Sequence, residues 1–520
     1  MGTDGGTPGT APMTWRNTTI LAALELARRA VRHAFSSAIL PIVLALGVLT
    51  PGKLSAQGIR ITGSTSARYF ELLPLAQDSV QRSRTIGTGT IRDSPFGTVT
   101  CPQTGDACYY YRSLDREHSV PLTQDLEATA WGFGTGVSAY VHVRGRSNAA
   151  GVNNLYPRQN DHFDALAAYL ELDRGRLLAR AGRQWITSGL GFTNFDGASV
   201  AVQATPHLSV RGLAGWSLVQ GLSEPATSDA LAAADLLPPD RRGVLLGAST
   251  RWRADVSAIS AEYQREIRTD RAGLYSERVA VAGTTRLWST ALDGSIQADL
   301  ATGALNELMV RASRRLPLRL DATVQARQYT PFFPLWTIWG AFAPVGYREG
   351  RGELRWRMPS EAVTLSAGAS YRRFEDTNAG LTFLPIRDDG WHVEASAGWR
   401  PAESWLANVS YDRDIGFGAS RSDGSAAVRW TPNDRGFVGL TGTAFQSIYE
   451  FRVGSGTVTG VVLDGGFTIH SDLRVVADVA LYQHIGKDTP SVVDWSQRRA
   501  TLRLEWSVGR DPGRRSLAGH

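Results

Sequence analysis

Apolar and polar residues alternate along this chain in successive short segments, and the alternation recurs over most of its 520 residues. Near position 391, Trp391 and Val393 fall on one side of the pattern, while His392 and Glu394 fall on the other. A period of two places successive side chains on opposite faces of a β-strand. The sequence therefore predicts an all-β protein that is built from many strands with two unlike faces.

Two kinds of connection, short and long, separate these segments, and they alternate along the chain. Short connections rich in Pro, Gly, Asp, Asn and Ser lie near positions 134, 174, 205, 254, 290, 316, 360, 402, 433 and 472. Longer ones cover 71–122, 147–160, 187–194, 219–242, 330–346, 374–389, 414–423 and 485–495. Short turns of this composition join antiparallel strands. With a first strand near 58–70 and a last one near 497–508, the pattern predicts about 22 strands, within a range of roughly 18 to 22.

A closed barrel in a membrane explains this pattern better than a soluble sheet does. Trp and Tyr stand near strand ends on the apolar face, as the girdles of a membrane barrel require; they are Trp252, Tyr371, Trp391, Trp399, Trp405 and Trp430. An open sheet edge in lipid leaves backbone groups unpaired. We therefore predict a closed antiparallel transmembrane β-barrel with short periplasmic turns and long extracellular loops. A β-propeller is the main alternative, but its blades should share a repeated signature, which this sequence lacks.

Composition excludes three other classes of protein. No run of apolar residues reaches the roughly 20 positions of a membrane-spanning helix. The 15 Trp, 15 Tyr and 17 Phe are too many large rings for a disordered chain. The formal charge is +6, of which +3 comes from residues 1–56, where five basic residues face two acidic ones. Because no Lys/Arg-rich block occurs, no nucleic-acid partner is expected.

Residues 1–56 have the arrangement of a secretory signal peptide. Basic residues precede the apolar run 37–49, and small residues follow it up to Ala56. The polar start is long, so Met13 is a possible true initiator. A short membrane anchor is the other interpretation, although the run is shorter than a spanning helix. The barrel is then expected over 57–509, with a tail over 510–520, in the outer membrane with its lipid and lipopolysaccharide.

Cys101 and Cys108 are the only cysteines, and both fall in the long connection 71–122. In an oxidising compartment we expect them to form a disulfide that closes a small loop. Two unpaired thiols are the alternative. The spacing does not match a CxxC metal or redox motif, and neither a metal site nor a cofactor is predicted.

Two stretches resemble a known class of proteins. The segment Thr501–Val508 resembles the closing strand of Gram-negative outer-membrane barrels. The stretch from Gly182-Arg183-Gln184-Trp185 to Phe195-Asp196-Gly197 is similar to the GRQ…G…FDG segment of porin-like and alginate-export-like barrels, where it forms adjacent strands. The resemblance implies this architecture and assigns no catalytic residue.

The alternation also places charged residues on the face that would line a lumen: Arg180, Arg251, Arg253, Arg355, Arg357, Arg372, Arg400, Arg503, Glu394 and Asp412. Arginine stays charged and offers a planar fork to carboxylates and phosphates, and rings of basic residues line anion pores. This predicts a channel for the diffusion or export of small or polymeric anionic solutes. The alternative is that arginines and acids pair across strands in a plugged structural or adhesion barrel, whose loops bind a partner.

The connection 330–346 is too apolar for a freely solvated loop. We expect it to fold inward and to constrict the lumen with Phe332, Phe333, Trp336 and Trp339, while outward exposure as a partner site is the alternative. The nine histidines form no HExxH pattern and accompany no GxSxG motif, so an enzyme is not predicted. His142 is the one histidine worth testing, with a structural role as the simpler interpretation. The oligomeric state stays open.

Overall fold

The computed structural model describes residues 58–72, 75–102, 104–113, 115–151, 163–218, 243–268, 274–331, 345–375, 388–416, 419–449, 456–486 and 495–509. The predicted signal peptide over 1–56 and the tail over 510–520 lie outside these residues. In the described part of the chain, no helix has the length and apolarity needed to cross a bilayer.

The described residues form 26 strands and two short 3-10 turns, η1 (Arg82–Arg84) and η2 (Pro317–Arg319). The strands are β1 (Gly58–Leu72), β2 (Leu75–Gln81), β3 (Ile91–Ser94), β4 (Gly97–Thr100), β5 (Ala107–Ser113), β6 (Glu117–Trp131), β7 (Val137–Gly151), β8 (Phe163–Asp173), β9 (Leu177–Ser188), β10 (Gly191–Gln203), β11 (Leu208–Ser217), β12 (Gly243–Arg253), β13 (Ser257–Arg268), β14 (Leu274–Leu287), β15 (Thr290–Asp299), β16 (Ala304–Leu316), β17 (Leu320–Tyr329), β18 (Tyr347–Arg357), β19 (Val363–Phe374), β20 (Asp389–Ala402), β21 (Trp405–Gly416), β22 (Ala419–Asn433), β23 (Gly436–Tyr449), β24 (Gly456–His470), β25 (Leu473–Gly486) and β26 (Trp495–Gly509).

One sheet of 22 strands closes into a barrel, which confirms the predicted fold and strand number. It contains β1 and β6 to β26, and each strand pairs antiparallel with its neighbours in the sheet. The barrel closes because β1 pairs with β6 on one side and with β26 on the other. All ten predicted short turns join strands at one end of the barrel. Gly58 and Gly509 lie at this short-turn end too, and the strand ends that border the longer connections lie at the other.

Two of the predicted long connections are wrong. At 187–194 the strands continue, and only two residues separate β9 from β10. At 414–423 β21 runs to Gly416 and β22 begins at Ala419. Both stretches are polar, which made them look like loops. In a barrel, however, the inner face of a strand is also polar, so polarity alone does not distinguish an inner wall from a solvated loop.

The boundaries predicted for the connection 71–122 are also wrong, because β1 reaches Leu72 and β6 begins at Glu117. Between them lies a second sheet of four strands in the order β2-β5-β4-β3. Cys101 and Cys108 form the predicted disulfide there. The two cysteines are buried with Val80 and Val99 in a small apolar cluster. A disulfide and a core of this kind give a short segment the fixed structure that an open loop lacks.

The stretch with the GRQ…FDG resemblance forms the adjacent strands β9 and β10. Arg183 aligns with Asp196 across them, and its guanidinium donates to both carboxylate oxygens, at 2.8 and 3.0 Å. Such a two-point contact is the geometry that favours arginine over lysine.

The outer surface of the barrel carries exposed apolar residues between two rows of aromatic rings. On β20, Trp391 and Trp399 are 49% and 55% exposed, and Val393 between them is 42% exposed. Eight residues at about 3.3 Å each place the two rings roughly 26 Å apart along the strand. With a strand tilt of roughly 40°, this separation corresponds to a height of about 20 Å, near the apolar band of about 25 Å in membrane barrels. All six aromatic residues assigned to strand ends from the sequence are exposed on this surface.

Candidate functional site

The inner face of the barrel is polar, and strand register shows which side chains share it. Arg355 aligns with Ser366 and Ser366 with Ser396 on three successive strands. The alternate residues Leu354 and Leu365 belong to the exposed apolar surface. The same alternation places all ten predicted residues on the inner face: Arg180, Arg251, Arg253, Arg355, Arg357, Arg372, Arg400, Arg503, Glu394 and Asp412.

Four of the eight predicted arginines are engaged in ion pairs across neighbouring strands. Arg372 is the most enclosed, since its Nε donates to Glu349 Oε1 and its Nη1 donates to Asp414 Oδ2, both at 2.9 Å. The other three pairs are Arg180 with Glu171 at 2.8 Å, Arg357 with Asp321 at 2.6 Å and Arg503 with Glu505 at 3.0 Å. The two predicted acids are paired as well, Glu394 with Arg351 and Asp412 with Arg421. For these residues the charges are balanced locally.

The other four predicted arginines are Arg251, Arg253, Arg355 and Arg400. Within the described ranges, no carboxylate lies within 4.0 Å of their guanidinium groups. All four are exposed on the inner face. Their positive charge is therefore available to solutes and is not neutralised by a neighbouring carboxylate among the described residues.

Among the inner-face arginines that sequence analysis missed, Arg211 and Arg286 lie toward the short-turn end of their strands. They also have no carboxylate within 4.0 Å in the described part of the chain. The alternation could have found both, because Val210 and Leu287 beside them face outward. Together with the four above, they form what we call the arginine collar: Arg211, Arg251, Arg253, Arg286, Arg355 and Arg400. Each lies within four residues of the short-turn end of its strand.

The acids at the level of the collar are largely engaged. Asp321 is shared by Arg315 and Arg357, and Asp293 is paired with Arg311. In the turns beyond the strands, Asp255 and Glu403 are exposed and add negative charge at the rim. The inner face at this end therefore carries an excess of positive charge, while most inner-face acids nearer the long-loop end are paired with arginines.

The tip of the β9–β10 hairpin lies against the inner wall. The backbone N–H of Leu190 donates to Glu262 Oε2 at 3.3 Å, and its carbonyl accepts from Arg278 Nη1 at 2.9 Å. Thr193 Oγ1 accepts from Gln264 Nε2 at 3.1 Å. These partners are on β13 and β14, so the tip reaches across the inner faces of β11 and β12. The hairpin therefore narrows the lumen from this side.

Sequence analysis did not identify this hairpin as an inward element. Leu190, the only large apolar residue at the tip, is 6% exposed, and an apolar residue in a two-residue turn is the one signal that pointed inward. The predicted constriction by Phe332, Phe333, Trp336 and Trp339 falls outside the described residues, so it remains a prediction.

Two cavities open on the inner face near the collar. One, of about 120 Å³, lies beneath the hairpin and includes Arg211, Arg251 and Glu262 in its lining. The other, of about 550 Å³, lies along β18 to β21 and includes Arg355 and Arg400. Both cavities combine collar arginines with neutral polar groups, which suits anions, and each also contains an acid, Glu262 in the first and Glu353 and Glu361 in the second.

His142 is held in an ion-pair cluster of the inner wall. Its Nε2 lies 3.4 Å from Asp125 Oδ1, and the same oxygen accepts from Arg144 Nε at 2.7 Å. These contacts fit the structural role. Among the described residues, no group of three or more His, Cys, Asp or Glu is arranged to hold a metal ion.

Comparison with known proteins gives structural neighbours only. No protein-family model matches the chain, and no curated protein matches it. Among solved structures it is similar to OccAB2 of Acinetobacter baumannii, with 9% identity, a TM-score of 0.39 and coverage of 88% of this chain and 100% of that one. It is also similar to OprD from Pseudomonas aeruginosa, with 8% identity, a TM-score of 0.35 and coverage of 88% and 96%. A third neighbour, the copper transporter OprC, has 10% identity, a TM-score of 0.43 and coverage of 88% and 82%.

Proposed function

We propose that the protein is an outer-membrane channel for the diffusion or export of small or polymeric anionic solutes. The observation that carries the proposal is the arginine collar, a set of inner-face guanidinium groups without carboxylate partners in the described residues. A wall built only to fill a barrel would pair its charges, because an unpaired charge away from bulk water is costly. Arginines left without partners in a wet lumen attract and guide anions instead.

The outer surface supports the membrane location. Its exposed Val, Leu and Ile side chains would form a large apolar patch in water, which soluble monomers rarely expose. In a bilayer the same residues contact lipid, and the two aromatic rows lie at the interfaces with water. Closure between β1 and β26 leaves no open edge, as the hydrocarbon region requires.

A plugged barrel that binds a partner through its long-loop end is the second candidate. The four-stranded sheet β2–β5 favours it, because Ile86 and Phe96 on or beside that sheet are 78% and 60% exposed. Exposed apolar residues of this kind are common at protein contacts. This candidate and the channel differ in a property that can be measured directly, which is ion conductance.

The test is single-channel recording of the refolded mature protein in a planar bilayer with a salt gradient. We expect open channels that prefer chloride to potassium, most strongly at low salt, where the Debye length exceeds about 10 Å. The variant R251Q/R355Q/R400Q should lose much of that preference. R314Q is the matched control, because Arg314 lies at the same end of the barrel but aligns with the outward-facing Ala322.

Two results would contradict the proposal. Correctly folded protein that stays electrically silent would favour the plugged barrel. A channel whose chloride preference falls equally in the triple variant and in R314Q would show that the collar does not set selectivity.

A further inference from the structure

We propose that the cavity beneath the β9–β10 hairpin is a binding site for one oxyanion group, a carboxylate or a phosphate, of a small solute. The site itself depends on the geometry of the wall, and only its role in transport rests on the proposed channel function. Five residues carry the argument: Arg211, Arg251, Ser209, Ser249 and Glu262, all of which line the cavity.

The two arginines stand at diagonal positions of adjacent strands. Arg251 on β12 aligns with Ser209 on β11, and Arg211 aligns with Ser249. Diagonal neighbours on one face of an antiparallel pair are about 7–8 Å apart. Two long guanidinium side chains at that spacing can meet on one anion from both sides, and each offers a planar fork of donors.

The charge of this pair is not balanced by the wall. Arg211 is half-buried and lies within electrostatic reach of two further cations, Arg180 and Arg251, and of one acid, Glu262. Arg180 is already engaged with Glu171 at 2.8 Å. No carboxylate of the described residues comes within 4.0 Å of Arg211 or Arg251. A partly enclosed cation repelled by its neighbours is stabilised by a bound anion.

The hairpin covers the cavity, and its backbone forms a hydrogen bond with Glu262, the acid in the cavity lining. Ser188 and Leu190 line the cavity from above, and the N–H of Leu190 donates to Glu262 Oε2 at 3.3 Å. This contact directs the carboxylate oxygen toward the hairpin. Below it, the hydroxyl groups of Ser209 and Ser249 add neutral donors beside the two arginines. The cavity therefore has cations and hydroxyls on its floor and a backbone roof.

The size of the cavity suits a small anionic group. Its volume of about 120 Å³ is close to that of an engineered cavity of roughly 150 Å³ that binds benzene, so a carboxylate or phosphate group with a few neighbouring carbons can enter it. The cavity is open toward the lumen, where the rest of a larger solute would lie. A polymer with charges along its chain would therefore touch the site only through one group at a time.

The experiment measures binding of phosphate, acetate and gluconate to the refolded wild-type protein by isothermal titration calorimetry, and block of chloride current by the same anions in a bilayer. We expect saturable binding that weakens as salt rises. The affinities for phosphate and acetate show which oxyanion the cavity prefers. Gluconate tests whether a carboxylate with a longer carbon chain still enters the cavity. R211Q and R251Q should each weaken binding at least tenfold.

Three further variants separate a site from general charge. R253Q removes a collar arginine two residues from Arg251 that is not part of the cavity lining, so it should reduce chloride preference but leave binding unchanged. S249M fills the cavity without changing charge and should abolish binding. E262Q keeps an oxygen to accept from Leu190 and removes the negative charge, so it should tighten binding.

The outcomes for the site and for the channel are independent. Binding in a protein that conducts no ions would keep the site and overturn the channel. An anion-selective channel in which none of the three anions gives heat or block would overturn the site alone. The proposal also fails if R253Q weakens binding as much as R211Q does.

Discussion

Arg278 donates from Nη1 to the carbonyl oxygen of Leu190 at 2.9 Å, although the two residues are 88 positions apart in the chain. This contact fastens the tip of the β9–β10 hairpin to β14, and the contact of Leu190 with Glu262 fastens it to β13. The position of the hairpin in the lumen therefore depends on two side chains of the neighbouring wall, Glu262 and Arg278.

Replacing Arg278 with Met should loosen the hairpin tip and increase single-channel conductance. A hydrogen bond from a charged group contributes about 1.5–3 kcal/mol, so its loss shifts the tip toward positions away from the wall. R286M is the control, because Arg286 is an inner-face arginine near the other end of the same strand. Equal conductance changes in R278M and R286M would show that charge, rather than the hairpin, controls the current.

Paired and unpaired arginines of the inner wall should differ in their effect on stability. R372M leaves Glu349 and Asp414 without the guanidinium that both contact at 2.9 Å, and removing one member of an enclosed ion pair costs about 3 kcal/mol. R355M removes an arginine with no such partner among the described residues and should change the free energy of unfolding by less than about 0.5 kcal/mol. Urea unfolding in lipid vesicles measures both, and equal losses would contradict this division.

The seam between β1 and β26 should be sensitive to a side chain at Gly63. A Cβ atom there would overlap Cε2 and Cζ2 of Trp506, so the indole ring or the strand pairing has to move. G63V should lower the temperature at which the folded barrel unfolds in heat-modifiability gels. In G63V/W506L the ring is gone, and the temperature should recover in part.

A matched glycine serves as the control for the seam. Gly212 on β11 has open space where a Cβ would lie, so G212V should leave the unfolding temperature nearly unchanged. If G212V lowers it as much as G63V does, strand glycines in general, and not contact with Trp506, explain the effect.

Loss of the disulfide should affect the small sheet and leave the barrel intact. In C101S/C108S the buried cluster with Val80 and Val99 loses its cross-link, which is worth about 2 kcal/mol. Trypsin should then cut faster after Arg82 and Arg84 in the adjoining turn η1. Conductance and barrel unfolding should stay as in the wild type, and a shift in barrel unfolding would show that the two sheets depend on each other.

The sequence alone was sufficient for the direction of the wall residues. Arg355 and Leu354 face opposite sides because side-chain direction in a strand alternates with every residue. Local composition gave the ten short turns. The loops predicted from composition at 187–194 and 414–423 were wrong, because composition does not distinguish a polar inner wall from a solvated loop.

Only the tertiary structure decided which of these charges are free. Arg372 and Arg355 have the same alternation and the same residue type, yet Arg372 meets Glu349 and Asp414 while Arg355 meets no carboxylate in the described residues. That difference depends on register and on how far a side chain reaches across neighbouring strands, which are non-local properties.

The β9–β10 hairpin shows most clearly which features follow from local sequence and which follow from the tertiary structure. The sequence by itself determined a barrel of two-faced strands, because the alternation of apolar and polar side chains is written locally and lipid accepts only one of the two faces. It did not determine that Leu190 turns inward to Glu262 and Arg278, or that Arg211 and Arg251 lie beneath it. Those contacts join residues about 70 to 90 positions apart, and they form because the hairpin tip lies across the neighbouring strands β11 and β12.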